Sequence, residues 1–88
     1  MPYQVEFTET ASKNLQHCPR KDQEMIFENI KKLAQNPSNK SNVKKLVNFA
    51  VAYRMRVGNY RILFEREDTL QIIDIIDILH RKDTYKRR

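Results

Sequence analysis

The feature that most constrains the fold is the dipeptide Gly58-Asn59, which interrupts the alternating segment Tyr53-Arg54-Met55-Arg56-Val57-Gly58-Asn59-Tyr60-Arg61-Ile62-Leu63-Phe64. Gly58 is the only glycine of the chain. A two-residue loop with glycine first is typical of a type II′ turn between antiparallel strands. The segment therefore predicts a β-hairpin. Its predicted cross-strand pairs are Val57–Tyr60, Arg56–Arg61, Met55–Ile62 and Arg54–Leu63.

The predicted hairpin has two chemically different faces, because directly paired residues point to the same side of a sheet. One face is apolar and is expected to belong to the core: Tyr53, Met55, Val57, Tyr60, Ile62 and Phe64. The other face carries Arg54, Arg56 and Arg61. Like charges opposite each other repel, so folding alone gives no reason to place Arg56 opposite Arg61. Binding of an anion such as a phosphate gives a reason.

The first third of the chain predicts a short strand followed by two helices. Residues 3–7 alternate between apolar and polar side chains, as a half-buried strand does. Thr8 can cap a first helix, which Pro19 ends. A second helix starts near residues 20–22, and Pro37 stops it. We expect the two helices to form an antiparallel pair.

The rest of the chain predicts a loop, the hairpin and a final strand. Residues 36–50 are polar and rich in turn formers, so we expect a surface loop. Residues 69–79 form a nearly continuous β-branched run, as expected for a central strand covered on both faces. The order of elements predicts an α+β fold, in which an N-terminal helical pair packs on one face of an antiparallel sheet of about four strands. Residues 1–88 are long enough for one small domain only.

Composition narrows the function classes. The formal net charge of +6 fits nucleic acid or an acidic protein partner, although a merely soluble basic domain has the same balance. Cys18 is the only cysteine, which excludes an intramolecular disulfide and fits a reducing compartment. No apolar run is long enough to span a membrane. Met1-Pro2 leads directly into a strand-like segment rather than a signal peptide, so we expect a cytoplasmic protein.

The residue pattern indicates no metal or cofactor site. Asp74 and Asp77 fall on opposite faces of the last strand, the lone cysteine continues an apolar helical stripe, and a single glycine excludes a glycine-rich phosphate loop. Two side chains are candidates for proton transfer. His80 has suitable chemistry, but strand alternation puts it opposite Arg81, in the core or pointing outward. Glu65 is either a base or an ion-pair partner, and we favour the ion pair.

The hairpin, the order of elements and the closing segment His80-Arg81-Lys82-Asp83-Thr84-Tyr85 resemble the RelE/ParE superfamily of bacterial toxins, and the RelE branch fits best. The resemblance covers nearly the whole chain. It implies a toxin that cuts messenger RNA in the ribosomal A site and is silenced by an acidic antitoxin in a hetero-oligomer. The implied cleavage needs no metal: the 2′-OH attacks the adjacent phosphorus, the 5′ oxygen leaves, and a 2′,3′-cyclic phosphate remains.

The resemblance also implies the site residues. Arg61 matches the arginine at the scissile phosphate, Arg81 the arginine after the last strand, and Tyr85 the C-terminal aromatic that stacks on a base. These three are the predicted catalytic residues, although Tyr85 can equally pack against the sheet edge. The predicted RNA-binding residues are Arg54, Arg56, Lys44, Lys45 and Lys82. Some relatives have lysine at the positions of Arg54 and Arg56, and arginine does not lose its proton, so the general base is left unassigned.

Two other functions stay open at the level of sequence. A toxin of the ParE type inhibits DNA gyrase without cutting nucleic acid. A basic domain of this size can also bind nucleic acid without any catalysis. The cluster of arginines together with Tyr85 favours the endoribonuclease over both.

Overall fold

The computed structural model describes residues 2–37, 42–47 and 50–82. The elements in chain order are β1 (Gln4–Phe7), α1 (Glu9–Gln16), α2 (Arg20–Gln35), β2 (Val43–Lys45), β3 (Tyr53–Val57), β4 (Tyr60–Glu67) and β5 (Ile72–His80). The five strands form one sheet in the order β1-β5-β4-β3-β2. Both helices bury their apolar residues in the same cluster as one face of the sheet, which confirms the predicted α+β class.

The helix boundaries follow the predicted signals. The hydroxyl of Thr8 accepts a hydrogen bond from the Ala11 N–H at 3.1 Å and donates one to the Ile76 carbonyl at 2.6 Å, so it caps α1 and ties it to β5. Pro19 is the N-cap residue of α2, which ends just before Asn36. Within the described ranges, neither helix has the length and apolarity needed to cross a bilayer.

The core lies between the helices and the sheet. Its largest side chains with essentially no exposure come from both layers: Phe64, Ile26, Leu33, Met55, Ile62, Ile73 and Ile75. Every buried residue in the described part of the chain is apolar. The opposite face of the sheet carries the arginines of the hairpin.

The sheet differs from the prediction in two ways. It has a fifth strand, because β2 forms inside the predicted loop and pairs with the edge of β3. Asn42 fixes this pairing, since its backbone carbonyl accepts from Arg56 N–H at 3.0 Å and its side-chain amide donates to the Arg56 carbonyl at 2.9 Å. The sheet is also mixed rather than wholly antiparallel, because β1 lies parallel to β5.

The final strand is central, as predicted, but it is covered on one face only. Ile73, Ile75 and Ile78 are buried, whereas Ile72 and Ile76 are only half-buried. The register along β4 shifts between Leu63 and Phe64, and Ile76 has no partner there. This β-bulge inserts Ile76 as one extra residue in β5. The insertion explains why the isoleucine run is nearly continuous in the sequence although the strand is not buried on both faces.

Candidate functional site

The turn at Gly58-Asn59 has the predicted geometry. Gly58 has a φ of +57°, and Gln71 is the only other described residue with a positive φ, so Asn59 has a negative one. Positive φ at the first loop residue alone is the signature of a type II′ turn. All four predicted cross-strand pairs are present. Arg56 and Arg61 are therefore direct partners on the open face of the sheet.

Arg81 joins this pair at the same end of the sheet. The last residue of β5, His80, pairs with Tyr60, the first residue of β4. The next backbone N–H, that of Arg81, donates to the carbonyl of Asn59 at 2.7 Å. The residue after the last strand is thus bonded to the hairpin turn, which brings its side chain beside those of the hairpin.

The three arginines line one open cavity of about 330 Å³, which we call the arginine cavity. Its lining residues are Arg56, Gly58, Asn59, Tyr60, Arg61 and Arg81. No carboxylate lies in this lining. Among the described residues, salt bridges join Arg20 to Glu24 and Arg66 to Asp68, and none neutralises an arginine of the cavity. Converging guanidinium groups without a counter-ion favour binding of a phosphate.

A second basic surface continues from the arginine cavity across β3 to the sheet edge. This basic groove, of about 430 Å³, is lined by Asn42, Val43, Lys44, Arg54, Arg56 and Gly58. Lys44 is the register partner of Arg54, so both point to the open face. Arg56 and Gly58 belong to both linings. The two cavities therefore form one track of positive charge.

Two of the predicted residues, Lys45 and Lys82, do not line this track. Lys45 pairs with Tyr53, which packs on the core side, so strand alternation turns Lys45 away from Lys44. Lys82 is exposed beyond Arg81, and its backbone N–H donates to Nδ1 of His80 at 3.1 Å. Tyr85 lies outside the described residues.

Among the described residues, no side chain that lines the arginine cavity is a proton acceptor. Tyr60 lines it, but its hydroxyl donates to Asp22 Oδ2 at 2.7 Å. Burial, and then the hydrogen bond to Asp22, raises the pKa of Tyr60 far above its usual range, so the phenol stays protonated. His80 contacts the ring of Tyr60 on the core side, one of the two positions predicted for it.

Glu65 lies at the other end of the open face. It pairs with Asp74 and lines a separate cavity together with Glu6 and Glu67. It takes part in neither salt bridge found among the described residues, so the ion pair that we favoured is not formed there. The open face is thus basic near the hairpin turn and acidic near the start of β5.

Cys18 is not an activated nucleophile. Burial is the main reason that the pKa of its thiol is raised, which favours the unreactive protonated form. The thiol also donates to the carbonyl of Asn14 at 3.4 Å. These contacts agree with the predicted packing role.

Sequence reasoning missed two polar residues of the track, Asn42 and Asn59. The backbone carbonyls of Asn42 and Asn59 accept from Arg56 and Arg81 respectively, and the side-chain amide of Asn42 also donates to the Arg56 carbonyl. A backbone acceptor leaves no signal in residue type. The one usable clue was position, since Asn59 follows the glycine of the turn.

Comparison with known proteins gives consistent matches over nearly the whole chain. Residues 5–85 match the family model described as the ParE toxin of type II toxin–antitoxin system, parDE. The chain is 38% identical over 85 residues to Toxin RelE3 of Methanocaldococcus jannaschii, covering 92% of this chain and 93% of that protein.

Two solved complexes contain chains with a similar fold. The toxin–antitoxin complex RelBE2 of Mycobacterium tuberculosis has a chain that superposes with a TM-score of 0.80 at 29% identity, covering 92% of this chain and 100% of that one. The RelB–RelE antitoxin–toxin complex of Methanococcus jannaschii gives a TM-score of 0.76 at 31% identity, covering 96% and 99%.

Proposed function

We propose an activity for this chain, which belongs to the RelE/ParE superfamily and is a RelE-like toxin of a type II toxin–antitoxin system. The proposed activity is that of a metal-independent endoribonuclease that cuts messenger RNA in the ribosomal A site. The observation that carries this proposal is the arginine cavity. Arg56, Arg61 and Arg81 line it together, its described lining has no carboxylate, and the hairpin register places Arg56 opposite Arg61. Such a site is suited to a phosphate whose negative charge increases during reaction.

The proposed chemistry uses the arginines as fixed cations. When the 2′ oxygen attacks the adjacent phosphorus, the phosphorus becomes five-coordinate and its oxygens gain negative charge. Arg61 and Arg81 lie on two neighbouring strand ends, so they can hold different oxygens of the same phosphate. Arg56, the register partner of Arg61, adds a third positive charge. The sequence assigned Arg56 to RNA binding alone, and its place in the cavity supports a share in the chemistry.

Proton transfer in this proposal depends on a group outside the described lining. Arginine does not give up its proton, and the hydroxyl of Tyr60 is directed at Asp22. We assign two roles to the C-terminal segment or to the ribosome: accepting the proton of the 2′-OH and donating a proton to the 5′ oxygen as it leaves.

The basic groove is proposed to bind the RNA backbone next to the cleaved bond. Lys44 and Arg54 face the same side as the arginine cavity and would neutralise flanking phosphates. Each such contact adds to the salt dependence of binding. Tyr85 is proposed to stack on a base, a contact worth about 1–3 kcal/mol. Lys82, which directly follows Arg81, is proposed to contact a phosphate, whereas Lys45, on the other face of β2 from Lys44, is not.

The proposed partner is an acidic antitoxin of the RelB type. The charge of +6 favours association with a negatively charged protein, and both solved complexes named above pair a RelE-like chain with a RelB antitoxin. We expect the antitoxin to cover the arginine cavity or to displace the C-terminal segment. Binding that does not weaken with rising salt would contradict the electrostatic part of this proposal.

Arg61→Ala tests the nuclease directly. We expect single-turnover cleavage on programmed ribosomes to slow by a factor on the order of 10²–10³, as after loss of one oxyanion-hole donor. Arg20→Ala is the matched control, because it removes the same charge from a side chain that is 93% exposed on α2. Circular dichroism confirms folding of both variants. A folded Arg61→Ala variant that cuts at the wild-type rate would remove Arg61 from the mechanism.

A second experiment separates the endoribonuclease from a gyrase inhibitor, which the match to the ParE family model keeps as the second candidate. RNA 5′ ends are mapped after brief induction, and DNA supercoiling by gyrase is measured in parallel. Toxicity with inhibited supercoiling and intact messenger RNA would support the ParE type of activity. Binding to RNA without either effect would leave a non-catalytic nucleic-acid-binding domain.

A further inference from the structure

Tyr60 connects the arginine cavity to the helical layer behind it. Its backbone lies at the start of β4, directly before Arg61, and its ring is 6% exposed. Its hydroxyl donates to Asp22 in the first turn of α2 at 2.7 Å. Because the pKa of Tyr60 is raised chiefly by burial, the phenol remains a donor at every physiological pH. This bond ties the start of β4 to α2.

His80 makes the matching connection for β5. It is the register partner of Tyr60, and the two rings meet edge to face with centroids 5.0 Å apart. Its Nδ1 accepts the N–H of Lys82 at 3.1 Å, while the N–H of Arg81 donates to Asn59 at 2.7 Å. The backbone of Arg81 is therefore held from both sides.

We infer that Asp22, Tyr60 and His80 are positioning residues that set the relative placement of Arg61 and Arg81. Tyr60 directly precedes Arg61, and His80 directly precedes Arg81. The rings of Tyr60 and His80 point to the face of the sheet opposite the two arginines. A rotation of either strand end about its own axis would move ring and guanidinium together. Asp22 blocks that rotation for β4, and the ring contact transmits the constraint to β5.

The effect of these positioning residues on the cleavage rate rests on the proposed function, in which the guanidinium groups of Arg61 and Arg81 bind the same phosphate. Misplacement of a reacting group by about 1 Å can reduce a rate on the order of 100-fold. None of the three positioning residues touches the basic groove. Their loss should therefore lower the rate of the chemical step more than the affinity for RNA.

Variants at Asp22 and Tyr60 test the constraint on β4. Tyr60→Phe removes the hydroxyl alone, and Asp22→Ala removes its acceptor, whereas Asp22→Asn keeps an acceptor oxygen in place. We expect the first two to lower the maximal single-turnover rate roughly 10- to 100-fold with half-saturation changed less than about threefold. Asp22→Asn should recover most of the rate. Tyr53→Phe removes a hydroxyl from the same sheet face outside the cavity lining and should behave like wild type.

Two variants at His80 separate the ring contact with Tyr60 from the hydrogen bond with the Lys82 N–H. His80→Asn places an acceptor near the position of Nδ1 but removes the ring, and His80→Phe keeps a ring but removes the acceptor. We expect both variants to lose rate, since both contacts hold the strand end. If both cut at the wild-type rate, the constraint on β5 does not exist.

A binding measurement without RNA tests the positioning role separately from the nuclease activity. Inorganic phosphate is titrated into the purified protein, and the side-chain Nε–H signals of Arg61 and Arg81 are followed by NMR. We expect the affinity to fall on the order of tenfold in Tyr60→Phe, the equivalent of one charge-assisted hydrogen bond. Asp22→Asn and Tyr53→Phe should retain it.

These experiments distinguish a failure of the proposed nuclease function from a failure of the positioning role. If wild type cuts no RNA but Tyr60→Phe still loses phosphate affinity, the proposed function fails and the positioning role stands. If Tyr60→Phe lowers only the unfolding midpoint and leaves phosphate binding and cleavage unchanged, the residue is merely structural and the inference is overturned. Should Tyr60→Phe not fold, the Asp22→Ala and Asp22→Asn pair gives the same test.

Discussion

Replacement of Gly58 by alanine should destabilise the protein by about 1–3 kcal/mol. The backbone at Gly58 has a φ of +57°, and a residue with a Cβ held in a sparsely populated conformation costs about that amount. The added methyl would lie 3.0 Å from Cε and 3.4 Å from Sδ of Met25. Because a methionine side chain is flexible, its end can move away, so the backbone supplies most of the cost.

The assay is equilibrium unfolding in urea, with the midpoint compared at constant slope. Asn59→Ala is the matched control, since this exposed neighbour has a negative φ and should change the free energy of unfolding by less than about 0.5 kcal/mol. A double-mutant cycle with Met25→Ala separates the methyl contact from the backbone strain. If Gly58→Ala is as stable as Asn59→Ala, the type II′ turn is not what holds the hairpin in register.

Three further outcomes are expected in the same assay. Thr8→Ala should lower the free energy of unfolding by about 1–2 kcal/mol through loss of the N-cap of α1, and Thr8→Ser should recover most of it. Hydrogen bonds from Arg66 and then Tyr3 lower the pKa of Asp68, so this carboxylate stabilises the fold above about pH 4 and loses that effect as the pH falls through its lowered pKa. Asp68→Asn should therefore reduce the difference in stability between about pH 7 and pH 3. Ile62→Ala should cost about 2–5 kcal/mol, because this side chain is fully buried, whereas Ile62→Val should cost about 1 kcal/mol.

The hairpin could be predicted because its information is local. One glycine in the chain and a two-residue loop determine which residues pair, and alternation then assigns each side chain to a face. That reasoning placed Arg56 opposite Arg61 and left the arginines on the open side, as the structure shows. The helix ends were equally local, since Thr8 and Pro19 act on their immediate neighbours.

The features that the sequence did not reveal depend on distant contacts. β2 is a three-residue edge strand held by Asn42 and β3, and its own sequence reads as a basic loop. Reading it as a loop also hid the alternation that separates Lys45 from Lys44. The hydrogen bond between Tyr60 and Asp22 joins residues 38 positions apart, and neither residue type predicts that the other is its partner. Parallel pairing of β1 with β5 likewise has no local signature.

The pairing of β1 with β5 delays complete folding of the toxin until β5 has been synthesised. The hydroxyl of Thr8 bonds to Ile76, 68 residues along the chain, and such non-local contacts form late because the closure of a long loop must come first. During synthesis, β1 and both helices are made long before β5. Arg81 directly follows β5, so it is the last arginine of the cavity to be made. A ribosome that translates this message therefore completes the cavity only after it has made β5 and Arg81.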